Sequence, residues 1–281
     1  MRKPIFLTII ALLLLSACDS AYTPAIRAGA MRTDTISVPA ATDTANVTLR
    51  FGMADQFRLS GGAEALVDGS VKYNIDELRP TVSTSGSNVT IAQPHDGLIA
   101  FPREAYSEWD LRLSNTTPMA LAIEAGAYKG AYDLGGLRLR DLRISEGASE
   151  TTYNFSRPNT EAMGSLAFDS GASNVTLINL ANANAAEMSF DGGAGDYTLD
   201  FGGELARTAT VDVKGGASTY NIRIPAGTPA RINLKGGMTT VNVDGFVRQG
   251  QQYLNAAWDE SKPHLDITVD MGLGTLNLGP R

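Results

Sequence analysis

Short stretches of alternating apolar and polar residues recur along most of the chain, and each is broken once at a glycine. In residues 211–224, apolar residues stand five and three positions before Gly216, at Val211 and Val213, and again four, six and eight positions after it. Strict alternation is typical of half-buried β-strands, and a glycine between two such runs is typical of a corner. The pattern therefore predicts units of two short strands that meet at a glycine.

The same frame repeats, with spacings of 21, 24, 22, 23 and 21 residues between the anchor glycines from Gly126 to Gly237. The anchors equivalent to Gly216 are Gly62, Ser85, Gly126, Gly147, Gly171, Gly193, Gly237 and Gly272. A period of this length is the signature of a solenoid, whose coils bury their apolar faces against one another. We therefore predict an all-β fold: a single-stranded parallel β-helix with coils of about 22 residues, right-handed as parallel crossovers usually are.

The apolar positions of successive units are expected to line up as inward-facing ladders. The position five before the anchor is never charged and is occupied by Leu121, Leu142, Leu166, Met188, Val211, Ile232 and Ile267. Glycine is needed at the corner either because the backbone takes a positive φ there or because a Cβ would press against the next coil. The structural corners predicted on this basis are Gly126, Gly147, Gly171, Gly193, Gly216, Gly237 and Gly272.

The regularity of the pattern divides the chain into segments. Residues 34–108 carry irregular β coils and, at 92–106, a proline-containing insertion that interrupts strand pairing. Residues 109–281 carry the regular array, and an interruption at 249–262 is expected to cap its last coil. Residues 18–33 lack periodicity and are typical of a flexible tether.

Residues 1–17 have the form of a secretory signal peptide: two positive charges, an apolar run, and small residues before a cysteine. The end of this segment, LSAC, resembles the lipobox of bacterial lipoproteins. The resemblance implies cleavage before Cys18 and acylation of that residue, and acyl chains anchor firmly because each buried methylene contributes about 0.8 kcal/mol. We therefore expect an extracytoplasmic protein of a bacterial cell envelope, lipid-anchored through Cys18 to an inner or an outer membrane.

Composition narrows the classes of partner. With 43% hydrophobic residues in 281, the chain has ample apolar material for a core, and its 29 glycines suit a fold with many corners. The net charge is -7, and it becomes -9 when Arg2 and Lys3 are removed with the signal peptide. Nucleic-acid binding requires clustered lysine and arginine to neutralise phosphates, and no such cluster occurs in this sequence. A nucleic-acid partner is excluded on this ground.

The corners EAGAY, SEGAS, DSGAS, DGGAG and KGGAS, preceded by the strand WDLRL, resemble the toast-rack domain over residues 109–278. That domain occurs in LiaF-like cell-wall stress proteins and is similar to the adhesin-head domains of envelope proteins. The resemblance implies a β-helix that serves envelope-stress sensing or adhesion. LiaF-like proteins carry transmembrane helices ahead of the domain, whereas this chain carries the Cys18 motif, which argues against direct control of a membrane kinase.

Catalytic candidates are few. His95 and His264 are 169 positions apart, and no partner pattern lies beside either, so both are interpreted as exposed loop histidines. No G-x-S-x-G elbow is present to carry a serine nucleophile. We therefore predict a non-enzymatic protein with no catalytic residues and no cofactor.

The weak candidates for metal ligands are Asp169 and Asp191. They are expected to stack in one outward column of adjacent coils, where two carboxylates repel unless a cation bridges them or Lys214 relieves the repulsion. The glycine–aspartate pattern of calcium-binding β-rolls occurs only once, at residues 191–200. We therefore predict no metal site.

A carbohydrate-active β-helix is the main alternative, and it needs exposed aromatic residues and converging carboxylates. Tyr106 and Tyr128 are the candidate stacking residues. The sequence-near acidic pairs are interpreted as solvated surface groups, and these are Asp133 with Asp141 and Glu146 with Glu150.

The leading interpretation is a lipid-anchored scaffold. Its β-helix presents an interaction surface to an envelope protein or a surface glycan, on one face of the rod or on the 92–106 insertion. The alternative is a polysaccharide-binding or polysaccharide-cleaving enzyme. A third interpretation is end-to-end self-association, because an open β-helix end exposes unpaired backbone groups.

Overall fold

The computed structural model describes residues 26–40, 43–93, 101–237 and 240–281, and about two thirds of these residues lie in β-strands. The amino-terminal strands are β1 (Arg32–Val38), β2 (Ala45–Ala63), β3 (Val67–Tyr73), β4 (Thr81–Ser85), β5 (Asn88–Ala92) and β6 (Ser107–Ser114). The central strands are β7 (Met119–Asp133), β8 (Leu139–Asn154), β9 (Met163–Ile178), β10 (Ala185–Asp200) and β11 (Ala209–Ile224). The last strands are β12 (Ala230–Gly236), β13 (Thr240–Val243), β14 (Phe246–Gln249), β15 (Gln252–Asn255) and β16 (Leu265–Pro280). Two short 3-10 helices, Asp76–Leu78 and Leu180–Ala183, interrupt them.

All the strands belong to one sheet, and its main path runs β1-β3-β6-β2-β7-β8-β9-β10-β11-β16-β12-β15-β14. From β2 to β16 along this path every neighbouring pair is parallel. Each of these long strands contains both halves of a coil with the glycine corner between them. The all-β class and the parallel stacking of coils agree with the repeat pattern, and the right-handed sense of the coil stays a prediction.

The predicted inward ladders form the core. Leu142 lies beside Leu166, which lies beside Met188, and the three side chains are buried. On the second half of each coil, Tyr132, Tyr153 and Leu177 pair in the same way. Stacked aromatic rings extend this second ladder, with 4.3 Å between the ring centroids of Tyr132 and Tyr153 and 5.3 Å between those of Tyr132 and Phe57. The register therefore places like residues on like residues along the rod.

Close backbone stacking explains the glycine corners. A Cβ built on Gly193 would lie 2.3 Å from the carbonyl oxygen of Gly171, and one built on Gly171 would lie 2.6 Å from the carbonyl oxygen of Gly147. None of the predicted corner glycines has a positive φ. Of the two reasons for glycine at these corners, the structure supports the crowding of a Cβ by the preceding coil.

Two predicted anchors are wrong. Gly52, rather than Gly62, is the corner of β2, because its neighbours Phe51 and Met53 pair with the neighbours of Gly126. Gly62 lies ten residues further on, near the end of β2. Ser85 begins the turn of an antiparallel β4–β5 hairpin instead of a coil corner. Only the second half of this hairpin carries the coil pattern, because β5 stacks on β2 in parallel.

The chain order is altered at both ends of the rod. At the amino-terminal end, β2 lies between β6 and β7, so the strand WDLRL does not stack directly on the regular array that follows it. At the carboxyl-terminal end, β16 is inserted between β11 and β12. The strands within residues 34–40, 43–93 and 101–108 therefore share the sheet of the regular coils.

Antiparallel strands cover the outermost layers. At one end β3 pairs with β6, β1 with β3, and β4 with β5. At the other end the β14–β15 hairpin pairs with β12. The predicted capping of the last coil by residues 249–262 is therefore confirmed for β12. Residues 94–100 of the predicted insertion lie outside the described residues.

A comparison of two corner glycines tests the stacking explanation. Gly193→Ala is expected to destabilise the fold by about 1–3 kcal/mol, the usual cost of forcing an extra methyl into a packed site. Gly237→Ala is the matched control, because a Cβ there lies 3.4 Å from the nearest atom, an ordinary contact. Urea unfolding followed by circular dichroism measures both changes, and equal losses at the two positions would contradict the explanation.

Candidate functional site

A shallow groove of about 550 Å³ runs across the outer face of the second half-coils of β2, β7, β8, β9 and β10. Because side chains alternate along a strand, the outward residues of stacked coils form columns across this groove. One column contains Lys129, Glu150, Asn174 and Asp196, and the next contains Ala131, Thr152, Thr176 and Thr198. The groove is therefore a ladder of small polar side chains on a fixed backbone.

Charged side chains lie in one column of the groove, at Lys129, Glu150 and Asp196, and at its β2 end, at Arg58. Lys129 Nζ lies 2.7 Å from a carboxylate oxygen of Glu150, and Arg58 lies 2.9 Å from Glu108. The Lys129 and Glu150 side chains are mostly exposed, so their attraction is screened by solvent and contributes little to stability. These groups stay available to a partner that offers hydrogen bonds or opposite charge.

A buried polar cluster lies directly beneath the groove, at the corner of β7, β8 and β9. The Glu146 carboxylate accepts hydrogen bonds from the hydroxyls of Tyr128 at 2.6 Å and Tyr153 at 2.9 Å. Ser149 Oγ donates to the other oxygen of this carboxylate. The Tyr132 hydroxyl donates to that of Tyr128 over 3.1 Å. The buried carboxylate and the tyrosine hydroxyls are therefore hydrogen-bonded within the cluster.

The surroundings of the cluster keep its tyrosines neutral. Burial, before any other cause, raises the pKa values of Tyr128, Tyr132 and Tyr153 above their ordinary value of 10.0. The nearby Glu146 carboxylate raises them further, because a second negative charge beside it would be repelled. These hydroxyls act as hydrogen-bond donors at neutral pH.

Two sequence-based interpretations fail at this cluster. Glu146 was expected to be solvated like Glu150, but it is only 6% exposed. Tyr128, the candidate stacking residue, is also 6% exposed and cannot offer its ring to a sugar. The signal for Glu146 was its position one before the corner, where Ala125, Ser170 and Gly192 occupy the neighbouring coils. Small residues in that column indicate an inward position.

The other aromatic and acidic candidates are not brought together. Tyr106 is half-buried, and its hydroxyl donates to Glu108 over 2.8 Å. Asp133 accepts a hydrogen bond from Ser156, and Asp141 accepts one from Ser165. No paired carboxylates face one another across an aromatic groove in the part of the chain that the structure describes.

His264 is buried rather than exposed, which corrects the sequence-based interpretation. Its Nδ1 lies 2.8 Å from the Lys262 carbonyl oxygen, and its ring packs edge-on against Trp258 with 5.0 Å between centroids. The Arg231 guanidinium lies over the Trp258 ring at 4.9 Å. These contacts fasten the loop that follows β15 against the last coils, which is a structural role. His95 lies outside the described residues.

The predicted stacking of the two weak metal candidates is observed. Asp169 and Asp191 are register partners, and Asp191 in turn pairs with Lys214. Arg143 donates to Asp169 over 3.0 Å and balances its charge. Within residues 26–40, 43–93, 101–237 and 240–281, no group of three or more histidine, cysteine, aspartate or glutamate side chains is placed to hold a metal ion.

Cys18 and the whole signal-peptide segment lie outside the described residues, so acylation there stays a prediction. Among the residues that are described, no helix is long and apolar enough to cross a membrane.

Removal of the buried carboxylate provides a direct test of the cluster. Glu146→Ala is expected to destabilise the fold by about 2–3 kcal/mol, because it leaves buried hydroxyls without their charged acceptor. Glu150→Ala, four residues further along β8, removes only an exposed ion pair and is expected to change stability little. Denaturant unfolding of both variants measures the difference, and a mild effect at Glu146 would show that the cluster contributes little.

Alkaline pH provides a second test. The folded-state pKa values of Tyr128, Tyr132 and Tyr153 lie above 10.0, the value expected in the unfolded chain. The free energy of unfolding therefore does not change with pH through these groups below pH 10, and it falls as the pH rises beyond 10. The tyrosinate absorbance of the buried rings is expected to appear together with the loss of β-sheet circular dichroism. Complete tyrosine ionisation in a protein that keeps its β-sheet signal would contradict the assigned burial.

Comparisons with known proteins place this geometry in context. A candidate cell adhesion protein of Clostridium sporogenes is 17% identical to this chain, with a TM-score of 0.52. The comparison covers 90% of this chain and 100% of that one. A candidate adhesin of Bacteroides fragilis is 11% identical, with a TM-score of 0.38 and coverage of 89% of this chain and 97% of that one. At 17% identity, the likeness to the first of these proteins concerns the fold alone. Comparison with curated protein sequences gives no match.

A family model described as the N-terminal domain of toast_rack, DUF2154, matches residues 27–178. The match begins ahead of β1 and ends at the last residue of β9, so it includes the irregular coils that the sequence pattern separated from the regular array. It covers more than half of the 281 residues. The chain therefore belongs to the toast-rack family.

Proposed function

We propose that this protein is a non-enzymatic lipoprotein of the bacterial cell envelope whose right-handed parallel β-helix serves as a rigid interaction surface. The acyl chains on Cys18 hold it to a membrane on the extracytoplasmic side. The rod presents its outer groove to an envelope protein or a surface glycan, in adhesion or in the sensing of envelope stress.

The observation that carries this proposal is the contrast between the groove and the cluster beneath it. The groove exposes threonine, asparagine and carboxylate side chains at fixed intervals of about 4.8 Å, the spacing of neighbouring strands. The acidic and phenolic groups that could do chemistry are instead consumed by their own hydrogen bonds. Such an arrangement suits recognition of an extended partner, because the groove offers hydrogen-bonding groups while the Glu146 carboxylate and its tyrosine hydroxyls are buried away from that partner.

A polysaccharide-binding or polysaccharide-cleaving enzyme is the alternative. The polar columns of the groove favour the binding half of this alternative, because hydroxyl and amide groups are suited to hydrogen bonds with sugars. The burial of Tyr128 and Glu146 argues against the cleaving half.

A matched pair of charge reversals tests the proposed surface. Asp196→Arg places a cation within the groove, whereas Asp212→Arg places one at an exposed position of the next strand, outside it. The full-length lipoprotein is cross-linked in its own envelope and recovered, and its partners are identified by mass spectrometry. A defined partner that is lost with Asp196→Arg and kept with Asp212→Arg is the expected result. Equal recovery with both variants, or recovery of glycan that the purified protein shortens, would overturn the proposal.

The anchor has its own test. Mass spectrometry of the mature protein is expected to show an amino-terminal Cys18 that carries acyl chains, and Cys18→Ala is expected to release the protein from the membrane fraction. An unmodified Cys18 in the membrane-bound protein would refute the anchor while leaving the groove test intact.

A further inference from the structure

The two halves of the last coil end differently. Its first half, β12, is paired on its far side with β15, and Ile232 is fully buried there. Its second half, β13, pairs with β16 and with no other strand among the described residues. Within the described residues, β13 is therefore an open edge strand at the carboxyl-terminal end of the rod.

Side-chain burial shows that no described strand covers the outer side of β13. Val241 occupies the inward column that contains Tyr220 and Leu276, both of which are buried, yet Val241 is 37% exposed. The edge of β13 also carries no lysine, proline or bulge of the kind that usually protects an open strand. An apolar inward residue at an unprotected edge favours pairing with a further strand.

Asparagine side chains of adjacent strands form a hydrogen-bonded ladder that ends at this edge, and all its hydrogen bonds run in the same direction. The Asn277 amide donates to Asn221 Oδ1 over 2.8 Å, and the Asn242 amide donates to Asn277 Oδ1 over 2.8 Å. Every amide in the ladder donates toward the body of the rod. The ladder therefore ends at β13 with the side-chain oxygen Oδ1 of Asn242. This atom accepts no hydrogen bond from the described part of the chain.

We propose that β13 pairs antiparallel with β13 of a second copy of this chain, about a two-fold axis at Val241. In this register Val241 lies opposite Val241 on the inward face, and Thr240 lies opposite Asn242 on the outward face. The Thr240 hydroxyl of each copy can donate to the Asn242 oxygen that the ladder leaves open. The edge is thus complementary to itself, which is the requirement for a closed two-fold contact.

The contact joins two rods end to end, because an added strand continues the stack of strands. From β1 to β13 the rod has eleven strands about 4.8 Å apart, so it is about 48 Å long. Because β1 lies at the opposite end of the rod from β13, the two β1 strands lie at the far ends of the pair.

Cysteine cross-linking of the full-length chain tests this contact. Directly opposed residues of antiparallel strands have Cα atoms about 4.5–5.5 Å apart, within the range that a disulfide spans. Val241→Cys is expected to shift from one chain to two on a non-reducing gel after mild oxidation. Val82→Cys is the matched control, since Val82 is an exposed valine on the edge strand β4 at the other end of the rod.

A charge on the edge completes the test. Thr240→Lys, added to Val241→Cys, is expected to abolish the cross-linked dimer without lowering the melting temperature, since Thr240 is exposed. The wild-type chain, whose only cysteine is Cys18, gives the background. A dimer that forms equally with Val82→Cys, that persists with Thr240→Lys, or that fails to form with Val241→Cys would overturn the proposal. None of these results bears on the groove or on the anchor.

Discussion

The close approach of one backbone corner to the next is the constraint on which the rest of the structure depends. Strands of a parallel stack lie about 4.8 Å apart, and at the corners the peptide groups turn so that each carbonyl oxygen points at the following glycine. A Cβ at Gly126 would lie 2.1 Å from the Gly52 carbonyl oxygen. Because most corners leave no room for a Cβ, the coils bend at stacked glycines, and the columns before and after the bend stay in register.

This register has consequences for both faces of the rod. Inside, it aligns leucine, isoleucine and aromatic residues into continuous ladders, and it brings Glu146 of β8 between Tyr128 of β7 and Ser170 of β9. Outside, it aligns Thr152, Thr176 and Thr198 into the columns of the groove. The same repeat therefore places the Glu146 carboxylate in the interior and the threonine columns on the exterior.

The sequence was sufficient to predict the parts of the fold that depend on local pattern. The columns through Leu142 and Tyr153, the corners from Gly126 to Gly272 and the stacking of Asp169 on Asp191 all follow from a constant period. The insertion of β2 between β6 and β7, and of β16 between β11 and β12, could not be predicted, because strand order within a stack depends on long-range pairing that leaves no periodic trace. Gly62 and Ser85 were misassigned for the same reason, since the amino-terminal strands are joined in a different order.

The candidate site was less predictable than the fold. Glutamate is usually a surface residue, but two features indicate that Glu146 points inward: it follows the inward Leu142 and Ile144 in the alternation of β8, and small residues lie beside it in adjacent coils. The groove requires the coils to be stacked before its columns exist. Photo-cross-linking tests most directly whether the groove is the partner-binding surface. One variant carries a photoreactive residue at Thr176, inside the groove, and a second carries it at Thr268, on the outward face of the first half-coil of β16. In the native envelope, Thr176 is expected to cross-link to a defined partner and Thr268 is not. Equal labelling at the two positions, or none at Thr176, would contradict this account.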